Sequence, residues 1–206
     1  MTTTGARRPT YHHGDLRAAL LAAGTELARQ GGPDAVVLRE ATRRAGVAPG
    51  AAYRHFADRD ALLHAVSQTA QADVARAMEV ELAAIADDDA HGRLRAVGLG
   101  YLRFAHREPG LFRVAFEVSA DLADAANPVR AGDSGRSPFQ LLSHALDGLV
   151  EARALAPDRR PGAEFLAWAA VHGLAVLLLD GPLRSLDDAT RERAYADLLA
   201  MVEKGL

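Results

Sequence analysis

Between Val37 and Leu63 the chain reads VLREATRRAGVAPGAAYRHFADRDALL, and the glycine at its corner, Gly46, limits the folds open to it. A short helical pattern from about Val37 stops at Ala45-Gly46. Pro49 suits the first position of the next helix, where a fixed φ and a missing N–H cost nothing. Only Ala45-Gly46-Val47-Ala48 joins the two patterns, so the chain must turn sharply while Val47 and the helix flanks bury the corner. This is helix-turn-helix spacing. Asp58 then serves as the N-cap of a further helix that Ala61, Leu62, Leu63 and Val66 carry towards Ala84.

Helical periodicity extends in both directions. Leu16, Leu20, Ala23 and Leu27 recur from Asp15 until Gly31-Gly32-Pro33 ends the pattern. Downstream, Leu94, Val97, Tyr101 and Phe104 form one stripe, which Pro109-Gly110 separates from Leu111 to Phe116. Pro138 to Leu155, Pro161 to Asp180 and Leu186 to Val202 read as three more helices. Residues 118 to about 136, rich in Asp, Gly and Ser, read as a loop and as a candidate gate. No segment alternates with strand periodicity, so the expected fold is all-α with about nine helices.

Charge is distributed unevenly. The formal charge is −3, yet residues 1 to 60 hold nine Arg against six acidic residues, a balance of +3 that leaves −6 for the rest. A basic N-terminal module on a larger acidic one is expected when only one end meets phosphate. With no cysteine there is no disulfide frame, thiol nucleophile or thiolate metal site, which fits a reducing, cytoplasmic setting. His12 and His13 are adjacent and diverge at a helix entrance, so neither a metal nor a cofactor is expected. The longest apolar run, Phe165 to Leu179, is broken by His172 and Gly173 and is too short for the roughly 20 residues that span a bilayer. No membrane association is expected.

The segment from residue 37 to 63 resembles the DNA-binding domain of the TetR family of bacterial transcriptional regulators. The features that carry the likeness are Arg39-Glu40, Ala45-Gly46-Val47, Gly50-x-x-Tyr53-Arg54-His55-Phe56 and Asp58-Arg59-Asp60-x-Leu62-Leu63. TYHHGDLRAALLAAGTELARQGG, residues 10 to 32, resembles that family's first helix. The resemblance implies a flexible arm (1–13), a three-helix DNA-binding domain (14–60) and a ligand-binding and dimerisation domain (61–206) entered by a long fourth helix. It further implies a homodimer on a near-palindromic double-stranded operator, and a repressor released by a small-molecule effector rather than an enzyme. An enzyme using His144, His172 or another histidine as acid or base, or a helix-turn-helix relative that binds only protein, are the alternatives; the enzyme reading leaves the first 65 residues unexplained.

On a helix begun at Pro49, Ala52 and Phe56 share the core face, while Gly50 and Arg54 point elsewhere. Tyr53 and His55 flank the exposed face, where a phenol and an imidazole can each bond a phosphate oxygen, and the resemblance implies the same roles. Ala48, Ala51 and Ala52 stand where the family often has serine, threonine and leucine, so Ala48 lacks a capping side chain and Ala52 thins the core. Ala48, Pro49, Gly50 and Ala51 can meet DNA only through backbone approach or a thymine methyl, which leaves Arg39 and Arg54 as the donors suited to guanine edges. Arg59, where the family usually has lysine, is expected to clamp a phosphate, with Asp58 or Asp60 as its alternative partners. Arg7 and Arg8 in the arm could reach the backbone or a minor groove.

In the larger part, YLRFAHREPGLFR (101–113) and Trp168-x-x-x-His172-Gly173 resemble one recurring subtype of the family's C-terminal domain. Trp168 and His172 lie four apart on an apolar helix. With Phe104, Phe112, Phe116 and His144 they form a candidate effector pocket, the alternative being simple core. Leu174, Val176, Leu177, Tyr195, Leu198, Leu199 and Val202 give the last two helices surplus apolar surface, a candidate twofold interface.

Overall fold

Local capping chemistry sets the helix boundaries. The computed structural model describes residues 13–118 and 126–206, and these are helical with no strand among them. Helix α1, His13–Ala35, bends where Gly31 and Gly32 leave helical geometry, Gly32 at a φ of 68°, and Pro33 restarts the last turn. Helix α2, Leu38–Ala45, ends on Gly46 in the left-handed region (φ 68°), where Gly is favoured. Helix α3 is one turn, Pro49–Ala52, uncapped by any side chain at Ala48. Backbone bonds from His55 and Phe56 to the Ala52 carbonyl (2.9 and 3.0 Å) carry the turn onward. The expected third helix is a single helical turn followed by a tight bend.

Helix α4, Arg59–Leu82, starts where the Asp58 carboxylate accepts from the Ala61 N–H. It buries residues on every side, as a central helix must. Around it pack α1, α5 (Ala90–Arg107), α6 (Pro109–Glu117) and α7 (Pro138–Glu151), while α8 (Ala163–Leu179) and α9 (Asp188–Gly205) lie against α5. The approach of α5 to α4 depends on Gly100, where a Cβ would stand 2.5 Å from the Met78 Cα. Gly110 of α6 sits likewise against the carbonyls of Ala28 and Arg29 of α1. Across the same seam Arg29 donates to Glu108 at 2.9 Å, so the first helix is seated on the body of the protein.

The loop before α7 contains a 3-10 turn, Pro128–Arg130, started by the Asn127 side chain. Glu79 of α4 holds the following bend through the Asp133 and Ser134 N–H groups (2.8 and 2.9 Å) and the Ser134 hydroxyl (2.6 Å). A reciprocal Ser137–Gln140 capping box then starts α7. Part of the expected gate, residues 119–125, lies outside the described residues, as do Arg7, Arg8 and His12 of the arm. Among the described residues no helix is long and apolar enough to cross a membrane.

Candidate nucleic-acid interface and internal cavity

The interface is built on a small core. Ala52 and Phe56 are buried, as the wheel predicts, with Leu38, Ala41 and Leu62 beside them in the same core. Thr42 is also buried, and its hydroxyl donates to the Arg39 carbonyl at 2.6 Å, so the polar atom is satisfied inside its own helix. Ala52 anchors the turn from within, and the next residues project outward. Tyr53 is 61% exposed, Arg54 is exposed and His55 partly so. Gly50 is exposed with open space where a Cβ would stand.

Arginines around this turn fall into two groups. Glu40 holds Arg43 by two bonds (2.8 and 2.7 Å) and Arg44 by one of 3.2 Å, and Arg44 also reaches Gln30 at 2.8 Å. The two guanidinium groups hold the Glu40 carboxyl well below the usual range, at about 2. Arg59, expected at a phosphate, instead donates to the carbonyls of Val36 (2.9 Å) and Pro33 (2.7 Å), with Asp60 and Asp34 at 3.6 and 4.0 Å. It ties the start of α4 to the α1–α2 junction, so its side chain is already engaged within the fold. Arg39 and Arg54 are exposed, and among the described residues no hydrogen bond or ion pair engages the guanidinium of either. Arg17 was not singled out in the sequence: its guanidinium lies over the Phe56 ring, 5.2 Å from the centroid. Only the pairing of α1 with α3 reveals it.

A second feature lies between α4 and α9. About 70 Å3 of internal space is bounded by Gln71 and Met78 of α4, Val97 and Tyr101 of α5, and Phe116 of α6, and it is closed by α7, α8 and α9. Of the expected pocket residues, Phe116 and Trp168 line it. Phe104 and Phe112 are buried in the core and do not reach it. His144 is exposed on the outer side of α7, because Leu141, Leu142 and Ala145 take the inner face. His172 stands behind the wall, stacked on Phe112 with centroids 5.7 Å apart. Phe139, which the sequence reading missed, lines the cavity and meets Trp168 edge-on at 6.0 Å.

One hydrogen-bonded chain crosses the wall. The Trp168 indole N–H donates to the Tyr101 hydroxyl at 3.2 Å, and that hydroxyl lies 2.8 Å from His172 Nδ1. An indole can only donate, so the Tyr101 hydroxyl accepts from Trp168, and the direction of its bond to His172 follows the tautomer of that imidazole. Burial pushes the His172 pKa below its ordinary value and raises that of Tyr101.

The outer face of α8 presents Leu166 (69% exposed), Val176 and Leu177, with Met201 of α9 also in solvent. Ala169 and Gly173 between them are exposed, and nothing lies within 4 Å of a Cβ placed at Gly173. Tyr195 and Leu199, expected on this outer surface, are buried inward instead, Leu199 against the cavity.

Comparison with known proteins gives consistent matches at both ends. Residues 20–66 match the family described as bacterial regulatory proteins, tetR family, and residues 94–202 match the tetracyclin repressor-like C-terminal domain. The HTH-type transcriptional repressor Rv3405c of Mycobacterium tuberculosis is 31% identical over 168 residues, covering 78% of this chain and 85% of that protein. A solved protein of unknown function from Rhodococcus sp. RHA1 is similar at a TM-score of 0.75 and 26% identity, over 97% of this chain and 99% of its own. RolR in complex with resorcinol shares the fold at a TM-score of 0.61 and 22% identity, over 92% of this chain and 88% of its own.

Proposed function

Because the chain belongs to the TetR family of bacterial transcriptional regulators, and is thereby a DNA-binding regulator, we infer that it is a cytoplasmic homodimeric repressor whose hold on its operator a small ligand releases. The reading divides the chain into a DNA-binding module (14–60) and an effector and dimerisation domain (61–206), and assigns it no catalytic role. The observation that carries it is the division of the arginines. Neighbouring guanidinium groups are neutralised or braced internally, whereas Arg39 and Arg54 extend from α2 and from the bend after α3. Arginine can pair with the O6 and N7 atoms of guanine in the major groove. Tyr53 and His55 bond phosphate oxygens beside them, with Ala48, Pro49, Gly50 and Ala51 allowing close approach. Arg59 is omitted from this contact set because Pro33 and Val36 already occupy it.

Two chains join through α8 and α9, with the Leu166, Gly173 and Leu177 face of α8 meeting its twofold copy. An isologous interface of this kind sets the two α3 turns onto two half-sites of a near-palindromic operator. The cavity between α4 and α9 holds the effector, lined by Phe116 and Trp168. A ligand releases DNA only if it binds better to the conformation in which the two modules are mis-spaced. Binding of the purified protein to duplexes from its own upstream region, followed by anisotropy at several salt concentrations, tests the reading. Salt-dependent binding of a dimer to one duplex, lost on replacing Tyr53 and His55 together, is expected; indifference to both replacements would overturn it.

A further inference from the structure

We propose that Arg17 of α1 binds a phosphate oxygen of duplex DNA, a backbone contact outside the helix-turn-helix, with its guanidinium held in place by the Phe56 ring. This rests on the reading of the bend after α3 as the DNA-contacting surface, and it extends that surface onto α1.

Charge pairing singles the residue out. Residues 13 to 60 contain seven arginines. Arg29, Arg43, Arg44 and Arg59 donate to carboxylates, a side-chain amide or backbone carbonyls. Arg17, Arg39 and Arg54 are the other three. Arg17 is exposed, and among the described residues no hydrogen bond or ion pair engages its guanidinium. Its one specific contact is with the Phe56 ring, 5.2 Å from the centroid. A cation over a ring is attracted by the negative face of the π system, and that attraction uses none of the N–H donors. All five donors of the planar fork therefore stay available to an oxyanion.

Position decides which part of DNA they meet. Arg17 stands three residues before the buried Leu20, at the edge of the buried stripe of α1, so its stem follows the module while its head lies in solvent. Phe56 directly follows Tyr53, Arg54 and His55, and its N–H donates to the Ala52 carbonyl at 3.0 Å, so ring and bend form one unit. The ring is 3% exposed and takes the core face of that unit, whereas Arg54 is exposed. A guanidinium resting on Phe56 thus stays at the base of the bend. Base edges form the floor of the groove and phosphates form its rim, so the base of the bend meets the rim. The ring contact also restricts a long side chain before DNA arrives, which lowers the cost of ordering it on binding.

Anisotropy titrations of the full-length protein, with a duplex from its own upstream region and an unrelated duplex of equal length, test the contact. Arg17→Met keeps a side chain over the ring and removes the charge. It should make the slope of log affinity against log salt shallower by about 0.9 for each chain bound, which is about 3.5-fold in affinity between 50 and 200 mM salt. Both duplexes should be affected alike, because a phosphate carries no sequence information. Arg17→Lys should retain the wild-type slope. Duplexes with a neutral methylphosphonate at single backbone positions locate the partner: one position in each half-site should weaken the wild type and leave Arg17→Met unaffected. Circular dichroism and urea midpoints check that each variant is folded. An Arg17→Met slope equal to the wild type, a loss confined to the upstream duplex, a Lys variant that behaves like Met, or identical methylphosphonate profiles would each overturn the assignment. The double replacement of Tyr53 and His55, run in the same series, keeps the two readings apart. If it abolishes binding while Arg17→Met matches the wild type, only the Arg17 contact falls; if the wild type binds neither duplex in a salt-dependent way, the whole interface falls with it.

Discussion

The Tyr101 hydroxyl stands 2.8 Å from His172 Nδ1 while accepting the Trp168 indole N–H at 3.2 Å. These three side chains join α5 to two successive turns of α8. Tyr101 and Trp168 face the cavity, and Gly173, next to His172, lies on the outer face of α8. A ligand that moves Trp168 therefore acts directly on the helix proposed to pair the two chains.

Replacing Tyr101 by Phe removes both bonds and leaves the Trp168 N–H and His172 Nδ1 without their shared partner. A lost buried bond costs about 1–3 kcal/mol when the partner stays unsatisfied. Tyr101→Phe should therefore lower the urea midpoint by that order of stability while keeping the helical circular dichroism signal.

His172 titrates below its ordinary value because it is buried. In the unfolded chain it takes a proton near pH 6.5, whereas the folded protein resists protonation until lower pH. Its contribution to stability is thus complete above about pH 6.5 and is lost as the pH falls through the depressed folded value. Urea titrations from pH 7 to pH 5 should show the wild-type midpoint falling, and the fall should be smaller in His172→Gln.

Arg59 braces the α1–α2 junction through two carbonyls. Hydrogen bonds from charged groups are worth about 1.5–3 kcal/mol when buried, and less at a side chain that is 40% exposed. Arg59→Gln should cost about 1 kcal/mol in urea unfolding. If the side chain holds no phosphate, the slope of log affinity against log salt stays at its wild-type value; a slope shallower by about one contact would return Arg59 to the interface.

What the sequence revealed and what it hid divide along local and long-range lines. Asp58, Gly46 and Pro49 act within a few residues of themselves, so the helix ends they set were legible. Ala52 and Phe56 fell on the core face because one helical turn decides it. His144 and Phe104 depended on which side of α7 and α5 meets the cavity, and helical spacing does not choose between two apolar neighbours. Arg59 found its partners 23 and 26 residues away, across a turn whose geometry no pattern encodes. Phe139 had a usable signal: the Ser137-Pro138 start of the capping box fixes its place in the first turn of α7.

Arg39 and Arg54 should carry sequence discrimination while Arg43 does not. Each bidentate pair with guanine is worth about 1–3 kcal/mol. Arg39→Ala and Arg54→Ala should each cut operator affinity by about that amount while changing affinity for unrelated DNA much less. Arg43→Ala, removing a side chain that Glu40 already neutralises, should change the ratio of specific to unrelated binding little. If the Arg39 and Arg54 variants keep the wild-type ratio, sequence-dependent DNA shape carries the specificity.

The outer face of α8 should decide the oligomeric state. Leu166, Ala169, Gly173, Val176 and Leu177 follow one another at steps of three, four, three and one, a single stripe along the helix. Large residues at its ends and a glycine in the middle, with open space above that glycine, suit a close crossing by an identical helix. A charge placed there would be buried against its own twofold copy, opposing association with no new partner to offset its desolvation. Leu177→Glu combined with Leu166→Glu should therefore yield a folded monomer by light scattering. Such a monomer reaches one half-site at a time, so operator affinity should fall by orders of magnitude at unchanged salt. A double variant that remains dimeric would assign the pairing to another surface of the protein.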